Sequence, residues 1–366
     1  MTERKRASGA FAYICVAFLA FLFFAETDAS IEYVKKGISV CVKNVVPALF
    51  PFTVLSAVMA ELGLSDIVSG IIGRPLGRIF GVSAAGSAVP FMGALCGFPI
   101  GAISAMRLYR SGRISREDVS RLMLFSNNPS SAFLIGAVGS ALWSCERLGV
   151  VLYFIQLLSA FLIGVFQSVF TARSEEKRVE ERGTHSQRGL SSVLVDAISD
   201  AAYSSVGICA FIMFFAAFVG ALCAFLGRFF DSQLLRSLIY CIFEMSGAVS
   251  EATRLGNTEF AVVLTAFACG WSGLSVHFQI FSVCRDAGIS KGAYLLAKAV
   301  QGALSAIMMA LYLKFIDSGL LSECVPVFLP SHSPQKASIA FALTANAMLL
   351  IGIILFLFRL RARKRL

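Results

Sequence analysis

The stretch LGVVLYFIQLLSAFLIGVFQSVF, residues 148–170, decides the fold class, because it runs for 23 residues without a charged side chain. A helix needs roughly 20 apolar residues to cross the hydrocarbon core of a bilayer, which is about 30 Å thick. Similar stretches fill most of the 366 residues, of which 57% are hydrophobic and 15% charged. Soluble domains carry about a quarter charged residues. The composition therefore predicts an all-α polytopic membrane protein whose partner is the lipid bilayer.

About eight transmembrane helices are predicted. The first follows a basic N-terminus, and we interpret it as an uncleaved anchor, because it is slightly long for a signal peptide and lacks a clear cleavage site. The predicted spans are residues 10–25, 37–62, 119–143, 148–170, 206–226, 234–249, 292–315 and 337–358.

Two further apolar regions, residues 84–106 and 260–284, are broken by glycines and, in the first, by Pro99. We expect each to form a re-entrant hairpin that returns to the side it entered. The Lys- and Arg-rich segments then all lie in the cytoplasm, as the positive-inside rule requires. The net charge of +10 is therefore a matter of topology, and no nucleic-acid partner is indicated.

A charged linker divides the chain into halves with a similar order of segments, and the motifs RSGRIS at 110–115 and RDAGIS at 285–290 follow the two predicted hairpins. Transporters often have such a repeat, with broken helices at equivalent positions forming the binding site. An inverted repeat would place residues 234–249 in the membrane interface, so the side of the C-terminus is left open. The predicted regions are an anchor with outer loop (1–36), a first repeat (37–171, hairpin near 84–106), the linker (172–190), a second repeat (191–358, hairpin near 260–285) and a basic tail (359–366).

Three motifs interrupt the apolar sequence with polar or helix-breaking residues: GFPIG at 97–101, FSNNPSSAF at 125–133 and GWSGLSVHFQ at 270–279. Non-helical backbone at membrane depth is tolerated only where it is buried in protein or lines a wet cavity. We expect these breaks to form a solute site. The predicted binding residues are Pro99, Asn127, Asn128, Ser130, Ser131, Trp271, Ser272, Ser275, His277 and Gln279.

Simpler interpretations exist for each break. Pro99 would then only kink a helix, the Asn and Ser side chains would only join helices by hydrogen bonds, and His277 would only form a hydrogen bond with a neighbouring group. Glu244 lies in an apolar segment, where carboxylates are costly and usually functional, so we predict that it binds a coupling ion or proton. If that segment is interfacial, Glu244 is merely hydrated.

Five motifs taken together are typical of one family: NVVPALFPF at 44–52, GFPIGA at 97–102, RLYRSGRIS at 107–115, FSNNPSSAF and, most specifically, GWSGLSVHFQ. On these motifs the chain resembles the sporulation integral membrane protein YlbJ family, whose members carry the nucleoside-recognition, or Gate, domain. The resemblance covers residues 38–312 and implies an architecture similar to concentrative nucleoside transporters, with two re-entrant hairpins. It also implies movement of dipicolinic acid across the outer forespore membrane toward the spore.

The sequence departs from what the resemblance implies at one point, since it has no obvious intramembrane Lys or Arg to pair with a dianion. The charge of the solute would then be neutralised by backbone groups and a bound cation, or by Lys298. No catalytic motif is present, and neither the three histidines nor the ten cysteines have metal-ligand spacing, so we expect no enzyme, no metal site and no cofactor beyond a possible coupling Na⁺ or proton. The alternatives to an anion transporter are a nucleoside and cation symporter and a non-transporting structural protein of spore maturation. The sequence leaves the oligomeric state open.

Overall fold

The computed structural model describes residues 2–61, 70, 73–170, 190–324 and 326 of the chain. The secondary structure described there is helical. The helices of the N-terminal half are α1 (Thr2–Ala25), α2 (Thr27–Val40), α3 (Val46–Glu61), α4 (Arg74–Phe80), α5 (Val89–Cys96), α6 (Ile100–Arg110), α7 (Arg116–Met123), a π-helix (Ala132–Leu142) and α8 (Glu146–Phe170). Those of the C-terminal half are α9 (Leu190–Gly227), α10 (Gln233–Phe243), α11 (Met245–Ala252), α12 (Thr258–Trp271), α13 (Gly273–Val283), α14 (Lys291–Leu311) and α15 (Leu320–Glu323).

Four helical segments are long and apolar enough to cross a membrane: Glu146–Phe170, Leu190–Gly227, Thr258–Val283 and Lys291–Ile316. A bent pair, Tyr13–Ala25 with Thr27–Val40, meets the same test together, with an angle of 94° between its members. The protein is thus an all-helical integral membrane protein with four or five candidate spans among its described residues. The predicted span 337–358 and the linker 172–190 lie outside the described residues, apart from Leu190, and the total of eight spans stays a prediction.

The chain reverses direction at the first glycine-broken region. Helices α5 and α6 are joined by Gly97, Phe98 and Pro99, and they pack so closely that a Cβ on Gly93 would lie 3.5 Å from the Cα of Gly101. In one straight helix, residues eight apart would be about 12 Å apart. A hairpin therefore forms where the glycines and Pro99 predict one.

The second hairpin lies elsewhere than the sequence predicts. Residues 260–284 form α12 and α13, which continue across Ser272 as one candidate span of 26 residues, Thr258–Val283. The expectation of a re-entrant hairpin near 260–285 is therefore wrong. A short left-handed step at Ser272 and Gly273, with φ of 72° and 76°, interrupts the helix without turning it back.

The reversal occurs instead at Glu244, between α10 and α11. The side-chain amide of Gln233, at the start of α10, donates to the Glu251 carboxylate, at the end of α11, over 2.8 Å. Residues 18 apart in one helix would be separated by about 27 Å. The predicted span 234–249 is therefore wrong, and the motif RDAGIS follows a broken span, whereas RSGRIS follows a hairpin.

The ends of the helix bundle are identified by contacts between loops. At one end, which we call the Arg110 end, Arg110 pairs with Asp286 at 2.7 Å and Arg116 donates to the Gly288 carbonyl at 2.8 Å. At the other, the Arg147 end, Arg147 pairs with Asp317 at 2.6 Å and with Glu323 at 2.9 Å. The α5–α6 hairpin opens toward the Arg110 end and the α10–α11 hairpin toward the Arg147 end.

Two apolar clusters fill the interior, one toward each end. The cluster at the Arg147 end includes Leu134, Leu152, Val262 and Met309, and the cluster at the Arg110 end includes Leu122, Ile163, Ile280 and Tyr294. Helices α8 and α14 each contribute to both clusters, whereas α7 and α13 contribute to one cluster and the segments beyond their breaks, the π-helix and α12, to the other. Polar side chains lie between the two clusters, and they form the candidate site.

Candidate functional site

A buried polar layer separates the two apolar clusters. Its members are no more than 2% exposed and come from the break after α7, from α8 and from α14: Asn127, Asn128, Gln156, Ser159, Lys298, Gln301 and Ser305. Buried polar groups inside a membrane protein are costly unless they are hydrogen-bonded. The hydrogen bonds of this layer therefore explain why the helices meet where they do.

The FSNNPSSAF break ends α7 and holds the first hairpin. The side-chain oxygen of Asn127 accepts from the Ala102 N–H in the first turn of α6, at 3.0 Å, and the Asn128 carbonyl accepts from the Phe98 N–H at 2.9 Å. Since the first N–H groups of a helix lack partners within it, Asn127 acts as their acceptor. A Cβ on Gly93 or Gly101 would overlap the main-chain oxygen of Ser126, so only glycine permits this approach.

The side chains of Asn127 and Asn128 also turn back toward the carbonyls at the end of α7. The Asn128 amide donates to the Phe125 carbonyl at 2.8 Å, and the Asn127 amide lies 3.5 Å from the Met123 carbonyl. Past the break, the Ser130 hydroxyl accepts from the Phe133 N–H at 3.2 Å, at the start of the π-helix, and Ser131 is buried. Pro99 is also buried, at the facing hairpin turn, and follows a cis peptide bond.

Helix α14 binds this break through two long polar side chains. The ammonium of Lys298 donates to the Asn127 carbonyl at 3.0 Å and to the Gln301 side-chain oxygen at 2.6 Å. The Gln301 amide donates in turn to the Asn128 side-chain oxygen at 2.7 Å. Among the described residues, no carboxylate lies within ion-pair distance of Lys298.

Helix α8 joins the layer from the other side. The Ser305 hydroxyl donates to the Ser159 hydroxyl at 3.0 Å and lies 3.4 Å from the Gln156 side-chain oxygen, while the Gln156 amide donates to the Ala266 carbonyl at 3.0 Å. Four elements are therefore linked by hydrogen bonds at one level of the bundle.

The GWSGLSVHFQ break packs against α14 and the second hairpin. A Cβ on Gly270 would lie 2.8 Å from the Gly302 Cα, and one on Gly273 would lie 3.1 Å from the Glu244 nitrogen. The Trp271 indole donates to the Ile242 carbonyl at 3.1 Å, and the buried Ser272 hydroxyl donates to the Cys269 carbonyl at 3.2 Å. Glycine at positions 270 and 273 lets the backbone of this motif contact α14 and the turn at Glu244.

His277 is fully buried between two aromatic side chains. Its ring meets Trp271 edge to face with 4.4 Å between centroids, and its Nδ1 lies 3.3 Å from the Tyr294 hydroxyl. Its Nε2 has no hydrogen-bond partner within the described part of the chain. Ser275 and Gln279 are also buried on α13.

Glu244 stands at the turn of the second hairpin, where it caps α11. Its two carboxylate oxygens accept from the N–H groups of Ser246, at 2.9 Å, and Gly247, at 2.5 Å. A carboxylate at a helix N-terminus is stabilised by these donors and by the helix dipole. The structure therefore gives Glu244 a local structural role, and its binding of a coupling ion or proton stays a prediction.

The predicted residues thus form two groups that α14 connects. Asn127 and Asn128 reach Lys298 and Gln301, whereas the break at 270–279 reaches Tyr294 and Gly302 of the same helix. Sequence reasoning missed Gln156, Ser159, Gln301 and Ser305. A usable signal was present, since residues 298, 301 and 305 repeat polar side chains at spacings of three and four, which lie on one helix face.

A cavity of about 350 Å³ opens at the Arg110 end. Its lining includes the rings of Phe211, Phe278 and Phe281 and the charged side chains of Arg285 and Lys291. Cys284 also lines it, and the Cys284 sulfur lies 3.5 Å from that of Met123, which in turn lies 3.3 Å from the Asn127 amide. The cavity is therefore separated from the polar layer by the Met123 side chain.

Comparisons with known proteins agree with the motifs. No family model matches the chain. The chain is 27% identical, over 92% of its length and 90% of the relative's, to the sporulation integral membrane protein YlbJ of Bacillus subtilis (strain 168). A solved structure of a substituted CNTnw in an outward-facing state covers 85% of both chains with 13% identity and a TM-score of 0.48. The resemblance seen in the motifs is thus confirmed, and the chain is a homologue of YlbJ that is integral to the membrane.

Proposed function

We propose that this protein is a sporulation membrane transporter that moves a small planar organic anion, such as dipicolinate, across the outer forespore membrane by alternating access. The observation that carries the proposal is the buried ammonium of Lys298, which is held by neutral acceptors in the polar layer. Charged groups buried in membrane proteins are expensive and usually mark a solute or ion pathway. Because the Lys298 ammonium has no carboxylate partner within the described part of the chain, it favours an anionic solute.

The surrounding groups suit a planar, polar solute. Asn128, Ser131, Ser275 and Gln279 offer hydrogen-bonding groups, and His277 has a buried Nε2 without a partner among the described residues. Trp271 provides an aromatic edge beside His277. We assign solute binding to these residues together with Pro99, Asn127, Ser130 and Ser272, and coupling-ion or proton binding to Glu244.

The cavity at the Arg110 end supports the same solute class. Its aromatic walls suit a flat ring, and Arg285 and Lys291 attract negative charge. We propose that it is the vestibule from which the solute reaches the polar layer when the Met123 side chain moves aside. The two hairpins, which open toward opposite ends, form with their broken helices an inverted pair that moves around the solute.

Solute flux tests the proposal. The purified protein is reconstituted in liposomes, and uptake of dipicolinate and of uridine is measured with and without Na⁺ and proton gradients. We expect saturable dipicolinate uptake above that of empty liposomes, with little competition by uridine. Greater uptake of uridine would support the nucleoside symporter instead, and no uptake of either solute by correctly inserted protein would support a structural role.

A further inference from the structure

The Lys298 ammonium occupies a position that suits a bound cation. It contacts the Asn127 main-chain carbonyl, beyond the end of α7, and the Gln301 side-chain oxygen. Carbonyls released where a transmembrane helix is broken, together with the negative C-terminal end of the half-helix, are the usual ligands for a coupling Na⁺ in transporters. Here one such carbonyl, that of Asn127, and the side-chain oxygen of Gln301 already accept from an ammonium.

Neighbouring side chains hold the ammonium in this place. Gln301, which accepts from Lys298, is itself fixed by donation to Asn128, whose amide donates to the Phe125 carbonyl. The Lys298 side chain is only 1% exposed, and its stem enters from α14, so this helix sets the level of the ammonium within the layer.

We propose that Lys298 is a resident cation that replaces the coupling Na⁺ at this break, so that the solute binds without added Na⁺ and the coupling ion of Glu244 is a proton. An ammonium has three N–H groups, and two of them have acceptors among the described residues. The third is available to the anionic solute. One side chain thereby neutralises the carbonyls of the broken helix and supplies the countercharge for the anion.

Thermal unfolding of the purified full chain in detergent tests the inference without any solute. NaCl is titrated against choline chloride at constant ionic strength, and binding of radioactive Na⁺ is measured in parallel. The wild-type protein should show no saturable Na⁺ binding and no Na⁺-specific change in its unfolding temperature. Saturable Na⁺ binding by the wild type would overturn the inference, whatever its variants do.

Replacement of Lys298 by alanine supplies the second arm. Lys298→Ala removes the ammonium and leaves space beside the Asn127 carbonyl, so Na⁺ or propylammonium should bind there and raise the unfolding temperature by roughly 2 °C or more. Lys314→Met, which removes an exposed lysine beyond the same helix, should show no such effect. If neither cation stabilises Lys298→Ala, the inference is wrong, and if that variant does not accumulate, the wild-type arm decides.

Uptake gives a readout that depends on the transport function proposed above. Wild-type dipicolinate uptake should be the same in Na⁺ and in choline, whereas a strict requirement for Na⁺ would overturn the resident cation and leave the transport function intact. Absence of uptake in both salts would contradict the transport function, while the unfolding and binding measurements would still decide the role of Lys298.

Discussion

At the scale of single residues, each asparagine of the FSNNPSSAF break serves more than one partner. Asn128 accepts from Gln301 and donates to the Phe125 carbonyl, and its own carbonyl accepts from Phe98. Because one side chain satisfies groups on α14 and at the end of α7, its loss removes a hydrogen-bond partner from each of two buried polar groups. Interhelical hydrogen bonds in membrane proteins average about 0.6 kcal/mol and reach about 1.7 kcal/mol.

Replacement of Asn128 by alanine should therefore lower stability by roughly 1 kcal/mol and strongly reduce solute uptake. The matched control is Asn257→Ala, which removes the exposed N-cap of α12 at a similar cost of about 1 kcal/mol and should leave uptake unchanged. Uptake per inserted protein and abundance in the membrane are measured for both variants. If Asn128→Ala lowers abundance but not uptake per molecule, Asn128 only joins helices.

At the scale of helices, small residues decide which elements touch. Gly270 and Gly302 bring α12 and α14 into backbone contact, since a Cβ on Gly270 would lie 2.8 Å from the Gly302 Cα and 2.9 Å from the Gln301 carbonyl. Small residues at such interfaces let transmembrane helices approach closely and gain van der Waals contact. This contact also sets the height at which Lys298 and Gln301 meet the break after α7.

Replacement of Gly270 by alanine should push α12 and α14 apart and lower the unfolding temperature, despite the better helix propensity of alanine. Gly207→Ala is the matched control, because Gly207 lies in α9 with no atom within 4 Å of the added Cβ. That variant should be neutral or more stable by up to about 1 kcal/mol. Equal unfolding temperatures for both variants would show that the α12–α14 contact is less tight than described.

At the scale of the whole molecule, the hairpins α5–α6 and α10–α11 make the distribution of basic residues consistent with the positive-inside rule. Residues 228–232 and 253–257 lie together at the Arg147 end, because α10 and α11 form a hairpin. The Thr258–Val283 span then returns the chain to the Arg110 end, where Asp286 pairs with Arg110 and the Gly288 carbonyl accepts from Arg116. The basic segments around 107–116 and 285–291 share one end, as the positive-inside rule requires.

Labelling of introduced cysteines tests this topology. We expect Asp231→Cys and Gly256→Cys to react with a membrane-impermeant maleimide from one side of the membrane and Gly292→Cys from the other. All three positions are exposed, and none of the ten native cysteines is, so the unmodified chain serves as the control for background labelling. Labelling of positions 231 and 256 from opposite sides would restore the predicted span 234–249.

Residue patterns alone were sufficient to predict that the chain is a membrane protein, that a hairpin forms near 84–106 and that polar breaks occur at 127–131 and 270–279. They were not sufficient to distinguish a hairpin from a broken span. The sequence predicts a span over the apolar region 234–249 and a hairpin over the glycine-broken region 260–284, but glycine permits either a reversal or a step within a helix. Which of these occurs depends on the neighbours, here the Gln233–Glu251 contact and the packing of Gly270 on α14.

The sequence by itself determined that this chain lies in the bilayer and that its helices break at 97–101, 125–133 and 270–279, because length, hydropathy and breaking residues act locally. Only the tertiary structure decided which breaks face each other and that Lys298, Gln301, Gln156, Ser159 and Ser305 join them. These side chains come from helices far apart along the chain, and a buried polar group finds its partner only once the helices pack. The physical reason is that hydrogen bonding in the polar layer depends on distance in space, which local patterns do not encode.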